Sequence, residues 1–246
     1  MPQPRRPIKL LAIDIDGTLL NREKKITKRT RAAIQEAQAN GILVMLATAR
    51  RYRNAAPFAE ELGLEMPLII CDGAQIVHFP DRTIIKQHLL DVEVAQVAVE
   101  TMVQHAIQPI VHHTIEQTEV TWCGPDEFDN PELAPYLEIH TNVTRFSYDS
   151  LFAGNPGPLR IVAFTSKETS IAIIPHIAKL DCSCYTIERG LYGCAEVTVM
   201  HRHSSKATAL LTMAETLNIE MDEVMAVGDG INDREMLQIA GWGVAM

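Results

Sequence analysis

Leu10-Leu11-Ala12-Ile13-Asp14-Ile15-Asp16-Gly17-Thr18 is an unbroken apolar run that stops abruptly in two acids, a glycine and a threonine. Consecutive apolar residues without alternation describe a strand buried on both faces, as in the middle of a parallel sheet. Working outward, Thr27 can cap a helix reaching to about Asn40, closed by Gly41. Ile42 to Ala47 reads as a second strand ending in Thr48-Ala49-Arg50, and a helix from about Asn54 to Leu62 follows, with Gly63 as its stop. Leu68-Ile69-Ile70-Cys71 is a third strand-like run, ending in Asp72-Gly73-Ala74. The order β-α-β-α-β implies an α/β fold whose core is a parallel sheet with right-handed crossovers.

From about Phe79 the pattern changes. Ile84 to Leu89, Gln108 to His113, Glu119 to Trp122, Glu138 to Phe146, Leu159 to Phe164 and Cys182 to Ile187 alternate as strands in series, and helical patterns cover Val92 to His105 and Thr169 to Leu180. Asn155-Pro156-Gly157-Pro158 reads as a turn within this stretch. Glu196 to Met200 reads as the way back into the parallel core. Ser204 is then expected to cap a helix from Ser205 to about Leu217, and Val224 to Val227 forms a buried strand ending in Gly228-Asp229-Gly230-Ile231-Asn232-Asp233. A last helix spans roughly Asp233 to Ala240, and Gly243 to Met246 begins one more apolar run. The resulting division assigns residues 1–80 and 196–246 to the core and 81–195 to an inserted α/β domain.

The 246 residues are 47% hydrophobic and 22% charged, as in an ordinary folded protein. Against 22 basic residues stand 31 acidic ones, a formal charge of -9, and Arg5-Arg6 is the only compact basic cluster. Nucleic-acid binding needs a basic face that this balance does not supply. Lys24-Lys25 and Lys28-Arg29 with Arg31 read as a solvated helix face. The five cysteines (Cys71, Cys123, Cys182, Cys184, Cys194) show no C-x-x-C spacing for zinc, and the expectation is reduced thiols in a cytoplasmic protein. Cys182 and Cys184 share one face of their strand. No stretch approaches the roughly 18 apolar residues of a membrane span.

In a parallel α/β sheet, ligands bind outside the carboxyl ends of the strands. Asp14, Asp16, Thr48, Asp229 and Asp233 all follow such ends, so residues more than two hundred positions apart are expected on one sheet edge. Four carboxylates gathered there repel one another unless a cation neutralises them. Magnesium suits the inventory, because it takes few protein carboxylates and completes its shell with water and phosphate oxygens. The competing reading makes Asp229 and Asp233 helix N-caps, which leaves Asp14 and Asp16 unexplained. Lys206 stands at a helix start, against the helix dipole; it either reaches into the acidic site to hold a phosphoryl oxygen or is a surface lysine. Thr48 can donate a hydroxyl to the same phosphoryl group. Arg50 can grip substrate or pair with an acid, with Arg51 and Arg53 as its rivals. His112, His113, His201 and His203 read as surface or satisfied core histidines rather than substrate contacts.

Together D-I-D-G-T-L at Asp14 to Leu19, Thr48, Lys206 and G-D-G-I-N-D at Gly228 to Asp233 resemble the haloacid dehalogenase superfamily, and the order with its large insert resembles the Cof-type phosphatases. The resemblance implies a Rossmann-like core with its first strand central, and a type IIB α/β cap inserted after the third core strand. It implies that Asp14 is the nucleophile and Asp16 the general acid and base, and that Thr48 and Lys206 bind phosphate. Magnesium would be held by Asp14, the backbone carbonyl of Asp16 and Asp229, with Asp233 and Asn232 in support. The implied activity is magnesium-dependent hydrolysis of a small phosphorylated metabolite, a sugar phosphate by default, through an aspartyl-phosphate. A phosphomutase and a sugar-phosphate-binding regulatory protein are the alternatives. This sequence departs from the family pattern in three places. Thr48-Ala49-Arg50 stands for T-G-R. Asp72-Gly73-Ala74 stands for N-G-A, which brings a negative charge and puts a substrate contact there in question. Family members run on beyond the G-V-A-M at Gly243 to Met246, so dimerisation or lower stability is expected of a chain ending there.

Overall fold

The computed structural model describes residues 6–115, 117–150, 152, 156–190 and 192–246. Arg5 of the basic pair, and Asn155 at the head of the expected Pro-Gly turn, lie outside the described residues. In chain order the elements are β1 (Leu10–Ile13), α1 (Lys28–Ala39), β2 (Leu43–Leu46), α2 (Tyr52–Leu62), β3 (Leu68–Ile70), β4 (Gln75–Val77), β5 (Ile84–Gln87), α3 (Val92–Gln104), β6 (Pro109–Ile115) and β7 (Thr118–Cys123). There follow α4 (Ala134–Ile139), β8 (Thr144–Arg145), β9 (Arg160–Thr165), α5 (Lys167–Ile177), β10 (Cys182–Ile187), β11 (Ala195–His201), α6 (Lys206–Thr216), β12 (Val224–Gly228), α7 (Arg234–Ile239) and β13 (Trp242–Ala245). They form two units, Met1–Gln87 with Ser204–Met246, and His88–His203.

The first unit is built on a parallel sheet in the order β13-β12-β1-β2. As the apolar run of its sequence requires, β1 is central: Leu10 faces Val224 on one side and Leu43 on the other, and Ile13 faces Val227 and Leu46. Alternate β1 residues serve opposite cores. Ile13 packs in the cluster with Ile34 of α1 and Leu62 of α2, whereas Leu10 and Ala12 pack in the cluster with Leu210 of α6 and Met236 of α7. Thr27 caps α1 by accepting a hydrogen bond from the Thr30 amide, and Gly63 closes α2 in the left-handed conformation. The expected third parallel strand touches the sheet through one bridge, Ala47 to Ile69, and β3 then pairs antiparallel with β4, and β4 with β5.

The second unit is a six-stranded sheet, β10-β11-β9-β6-β7-β8, antiparallel except where β7 meets β8. Its apolar rows, among them Ile161, Ala163, Val197 and Val199, pack with Val99 and Met102 of α3 and Ile173 and Ile177 of α5.

Four expectations about elements need correction. Ile84–Gln87 belongs to the first unit, because its alternating pattern describes any one-sided antiparallel strand and does not say which sheet it joins. Glu196 to Met200 does not return to the parallel core; it is part of β11, paired with β10 and β9. In β11 Val197 to Met200 are buried on both faces, as residues of a parallel core strand are, so local pattern does not tell the two apart. The divisions expected at 80/81 and 195/196 therefore fall at 87/88 and 203/204. Glu138 to Phe146 holds the end of α4 and the two-residue β8 instead of one strand, since Pro135 in its first turn favours a helix start. Finally, Ser205 rather than Ser204 caps α6, accepting from the Thr208 amide. All five cysteines are free thiols. Among the described residues no helix is long and apolar enough to cross a membrane.

Because β11 lies between β10 and β9, a chain of residues 88–203 is expected to fold alone, whereas one cut at 81–195 loses all but the first residue of that strand and is expected to be unfolded. Circular dichroism and thermal melts of the two would check this, and equal folding of both would contradict the assignment of β11.

Candidate functional site

The parallel register carries β1 and β12 to the same level, with Ile13 beside Val227, and the Asp14 amide donates to the Val227 carbonyl at 3.0 Å. Asp14 and Asp229 therefore leave adjacent strand ends, as expected outside the carboxyl edge of such a sheet. Gly17 turns the chain with φ +84°, and a Cβ there would collide with the Asp229 carboxylate, so the turn after β1 admits Asp229 only because the residue is glycine. Thr18 donates its hydroxyl to Asp229 Oδ1 at 2.9 Å.

Lys206 is the first residue of α6, and its side chain is only 1% exposed. Its Nζ donates to Asp14 Oδ1 and to Asp233 Oδ1, both at 2.6 Å, joining the two ends of the chain in one charge-assisted network. The surface-lysine reading is thus excluded. Asp233 uses Oδ2 to accept from the amides of Asp229 (3.1 Å) and Gly230 (2.8 Å), which folds the G-D-G-I-N-D loop around it. Asp14, Asp229 and Asp233 each bring one carboxylate oxygen to within 4.8 Å of the others, a spacing that could hold a metal ion.

Burial dominates the electrostatics of Asp14. Desolvation pushes its carboxyl up from 3.8 to about 7; Lys206 pulls it down and Asp233 pushes it further up. Burial alone would lower the Lys206 ammonium, but Asp14 and Asp233 outweigh it and the net shift is upward, so Lys206 stays charged. One lysine among these acids leaves the cluster with more negative charge than it can neutralise.

Asp16 lies outside this cluster in its side-chain contacts. Its two carboxylate oxygens accept from Arg50 Nε and Nη2, each at 2.7 Å, a bidentate fork, while Arg50 also donates to the Asn54 carbonyl and stacks over Phe58. Arg50, the first of the three arginines, thus reaches Asp16. Thr48 is buried, and its hydroxyl accepts from the Arg50 amide at 3.1 Å. Asn232 donates through Nδ2 to Asp72 Oδ1 at 2.7 Å. Sequence reasoning had no role for Thr18 and left Asp72 open; only the fold brings Thr18 to Asp229 and Asp72 to Asn232. His112, His113, His201 and His203 belong to the second unit. His112 is buried between Tyr136 and Arg160, and His113 packs on Trp122, where burial lowers it to about 4. His201 and His203 lie near each other and near His88, the His88 and His201 rings stacked at 5.2 Å.

A family profile described as haloacid dehalogenase-like hydrolase matches residues 11–246. The phosphatase YwpJ of Bacillus subtilis is 29% identical, over 97% of this chain and 89% of its own length. The 5-amino-6-(5-phospho-D-ribitylamino)uracil phosphatase YcsE of Bacillus subtilis is also 29% identical, over 97% of this chain and 84% of its length. Among solved structures, BT1666 of Bacteroides thetaiotaomicron, described among phosphatases of this superfamily, superposes with a TM-score of 0.80 at 22% identity, covering 100% of this chain and 86% of that one.

Between the ordinary 3.8 and the raised value of about 7, folded Asp14 keeps a proton that unfolded Asp14 has lost. Its contribution to stability is therefore complete at low pH and is lost as the pH rises through about 7. Asp14→Asn cannot ionise, so in chelator at about pH 8 it is expected to melt higher than the parent chain, with the gap closing toward about pH 4. Paired thermal melts across that range check this; a gap that does not depend on pH would contradict it.

Proposed function

The chain belongs to the haloacid dehalogenase-like hydrolase family, and from that footing, as a phosphoric monoester hydrolase, we propose that it cleaves small phosphorylated metabolites by attack of the Asp14 carboxylate on phosphorus. The observation that carries this reading is the buried Lys206 ammonium shared by Asp14 and Asp233 at 2.6 Å, with Asp229 in the same group. A buried cation between an acid at a strand end and an acid at a helix head is what a transferring phosphoryl group requires: charge compensation beside a fixed nucleophile.

Asp14, Asp229 and Asp233 offer only hard oxygen donors, few in number and closely grouped, and this set fits magnesium. The excess negative charge of the cluster supports the same conclusion. Asp14 and Asp229 would hold the ion with the backbone carbonyl of Asp16, and Asp233 would brace the loop. When bound, magnesium withdraws charge from the phosphoryl oxygens so that a carboxylate can approach them.

In the first half-reaction an Asp14 oxygen forms a bond to phosphorus while the ester P–O bond breaks, and Asp16 protonates the leaving oxygen. In the second, Asp16 takes a proton from water as the water oxygen attacks phosphorus, releasing Asp14 and inorganic phosphate. Lys206 and Thr48 hold phosphoryl oxygens throughout. The Arg50 fork holds the Asp16 carboxylate in place, and a phosphate ester that competes for the same guanidinium frees Asp16 for proton transfer. Asn232 supports the phosphoryl side of the site from the G-D-G-I-N-D loop. The substrate class we propose is a phosphate on a polyhydroxylated chain, a sugar phosphate or its polyol counterpart. The activity for which YcsE is named, on a phosphoribityl compound, supports this class.

Turnover of p-nitrophenyl phosphate is expected to require magnesium; full hydrolysis in excess chelator, with metal removal verified, would contradict the proposal. Asp14→Asn is expected to abolish turnover in a folded protein, and Asp16→Asn to slow both half-reactions. Lys206→Ala is expected to lower kcat/KM by about a hundredfold, the scale of one lost transition-state charge contact. Steady-state kinetics on the three variants checks these values, and an unchanged Lys206→Ala would remove that residue from the mechanism.

A further inference from the structure

β10, Cys182-Ser183-Cys184-Tyr185-Thr186-Ile187, is the outermost strand of the second sheet, paired along all six residues with β11 and, among the described residues, with no strand on its other side. An outermost strand leaves a row of backbone amides and carbonyls open to another strand, and proteins ordinarily guard such edges with charge, proline, a bulge or brevity. β8, at the opposite edge of this sheet, is guarded: it is two residues long, and one of them is Arg145. β5, at an edge of the three-stranded sheet, carries Lys86, and its ladder with β4 is irregular. β10 has none of these guards. It holds no charge, proline or glycine, its register with β11 is unbroken, and all six residues are only part-buried.

The charges that flank β10 favour a second copy of the same strand as its partner. Asp181 immediately precedes the strand and Arg189 lies two residues beyond its end, both exposed. Asp181 accepts from Arg202 in an exposed pair, and Glu188 is held by Lys167. Among the described residues Arg189 has no ion-pair partner. Two β10 strands paired antiparallel about a two-fold axis can set position 181 of one copy against position 189 of the other. Opposite charges then meet at both ends, and the uncharged centre meets itself without repulsion. Sliding the pair by two residues would set Lys179 against Arg189 instead, like charge against like.

We propose that β10 is a self-association surface through which two copies of this chain pair antiparallel, extending the second sheet across a two-fold axis with Arg189 of each copy against Asp181 of the other. One strand pair and two exposed ion pairs bury little area, so the dimer belongs to the weak, concentration-dependent class. It is independent of the proposed reaction and asks nothing of the catalytic residues.

Sedimentation equilibrium of the full chain over a range of concentrations, with backbone hydrogen exchange read at each, tests this. The expected result is a dimer that forms as concentration rises, with exchange slowing in β10. Arg189→Asp is expected to raise the dimer dissociation constant about tenfold, because each contact occurs twice across the axis and both ion pairs become like-charge contacts. Adding Asp181→Lys to that variant restores opposite charges in reversed order and is expected to recover most of the loss. Both positions are exposed, and circular dichroism verifies that the variants fold. A chain that stays monomeric at its highest soluble concentration overturns the proposal. So does a dimer indifferent to Arg189→Asp, or one whose exchange slows in β13 rather than β10. Failure of the double variant to recover overturns the proposed register.

Discussion

The structure of the first unit turns on one ammonium group. Lys206 Nζ lies between Asp14 at the end of β1 and Asp233 at the head of α7, and each hydrogen bond is 2.6 Å long. Removing the ammonium from such a buried arrangement leaves its carboxylates uncompensated, which costs far more than a surface pair contributes. The constraint explains local features that otherwise look unrelated. Lysine at the start of α6 opposes the helix dipole, glycine at position 17 leaves room for Asp229, and Asp233 folds its own loop by accepting two backbone amides. Each deviation from local preference brings one charge to the same place.

That place is still short of positive charge. Burial holds Asp14 up at about 7 in spite of its lysine partner, because the desolvation of a carboxylate outweighs one attraction. A hard cation held there would supply the missing charge and favour ionised Asp14, the state that the proposed nucleophile needs. Asp16 is arranged differently. It stands apart from this network in the Arg50 fork, with 44% of its side chain exposed. Two carboxylates two residues apart thus occupy unlike environments, which is how one fold assigns separate roles to similar groups.

Much of this was legible in the sequence, for identifiable reasons. Leu10 to Ile13 could only be a central strand, and Gly228 to Asp233 follows another apolar run with the same abrupt stop, so the partnership of Asp14, Asp229 and Asp233 followed from sheet topology. The caps at Thr27 and Gly63 are local signals and were equally readable. Other features depend on contacts that no local pattern encodes. Glu196 to Met200 looks the same in an interior antiparallel strand as in a parallel one, which displaced the division by eight residues, from 195/196 to 203/204. Thr18 is an ordinary loop threonine until the fold sets Asp229 beside it. Asp72 stood out as a departure from the family pattern, yet its contact with Asn232, 160 positions away, is visible only in three dimensions.

In the proposed reaction Asp14 takes the phosphoryl group before water does. Two successive in-line displacements return phosphorus to its original configuration, whereas direct attack by water inverts it. The stereochemical course is read from hydrolysis of a phosphorothioate monoester made chiral at phosphorus with oxygen isotopes, whose inorganic thiophosphate product remains chiral. Net retention is expected; inversion would show that water attacks the ester directly and that Asp14 is not the nucleophile.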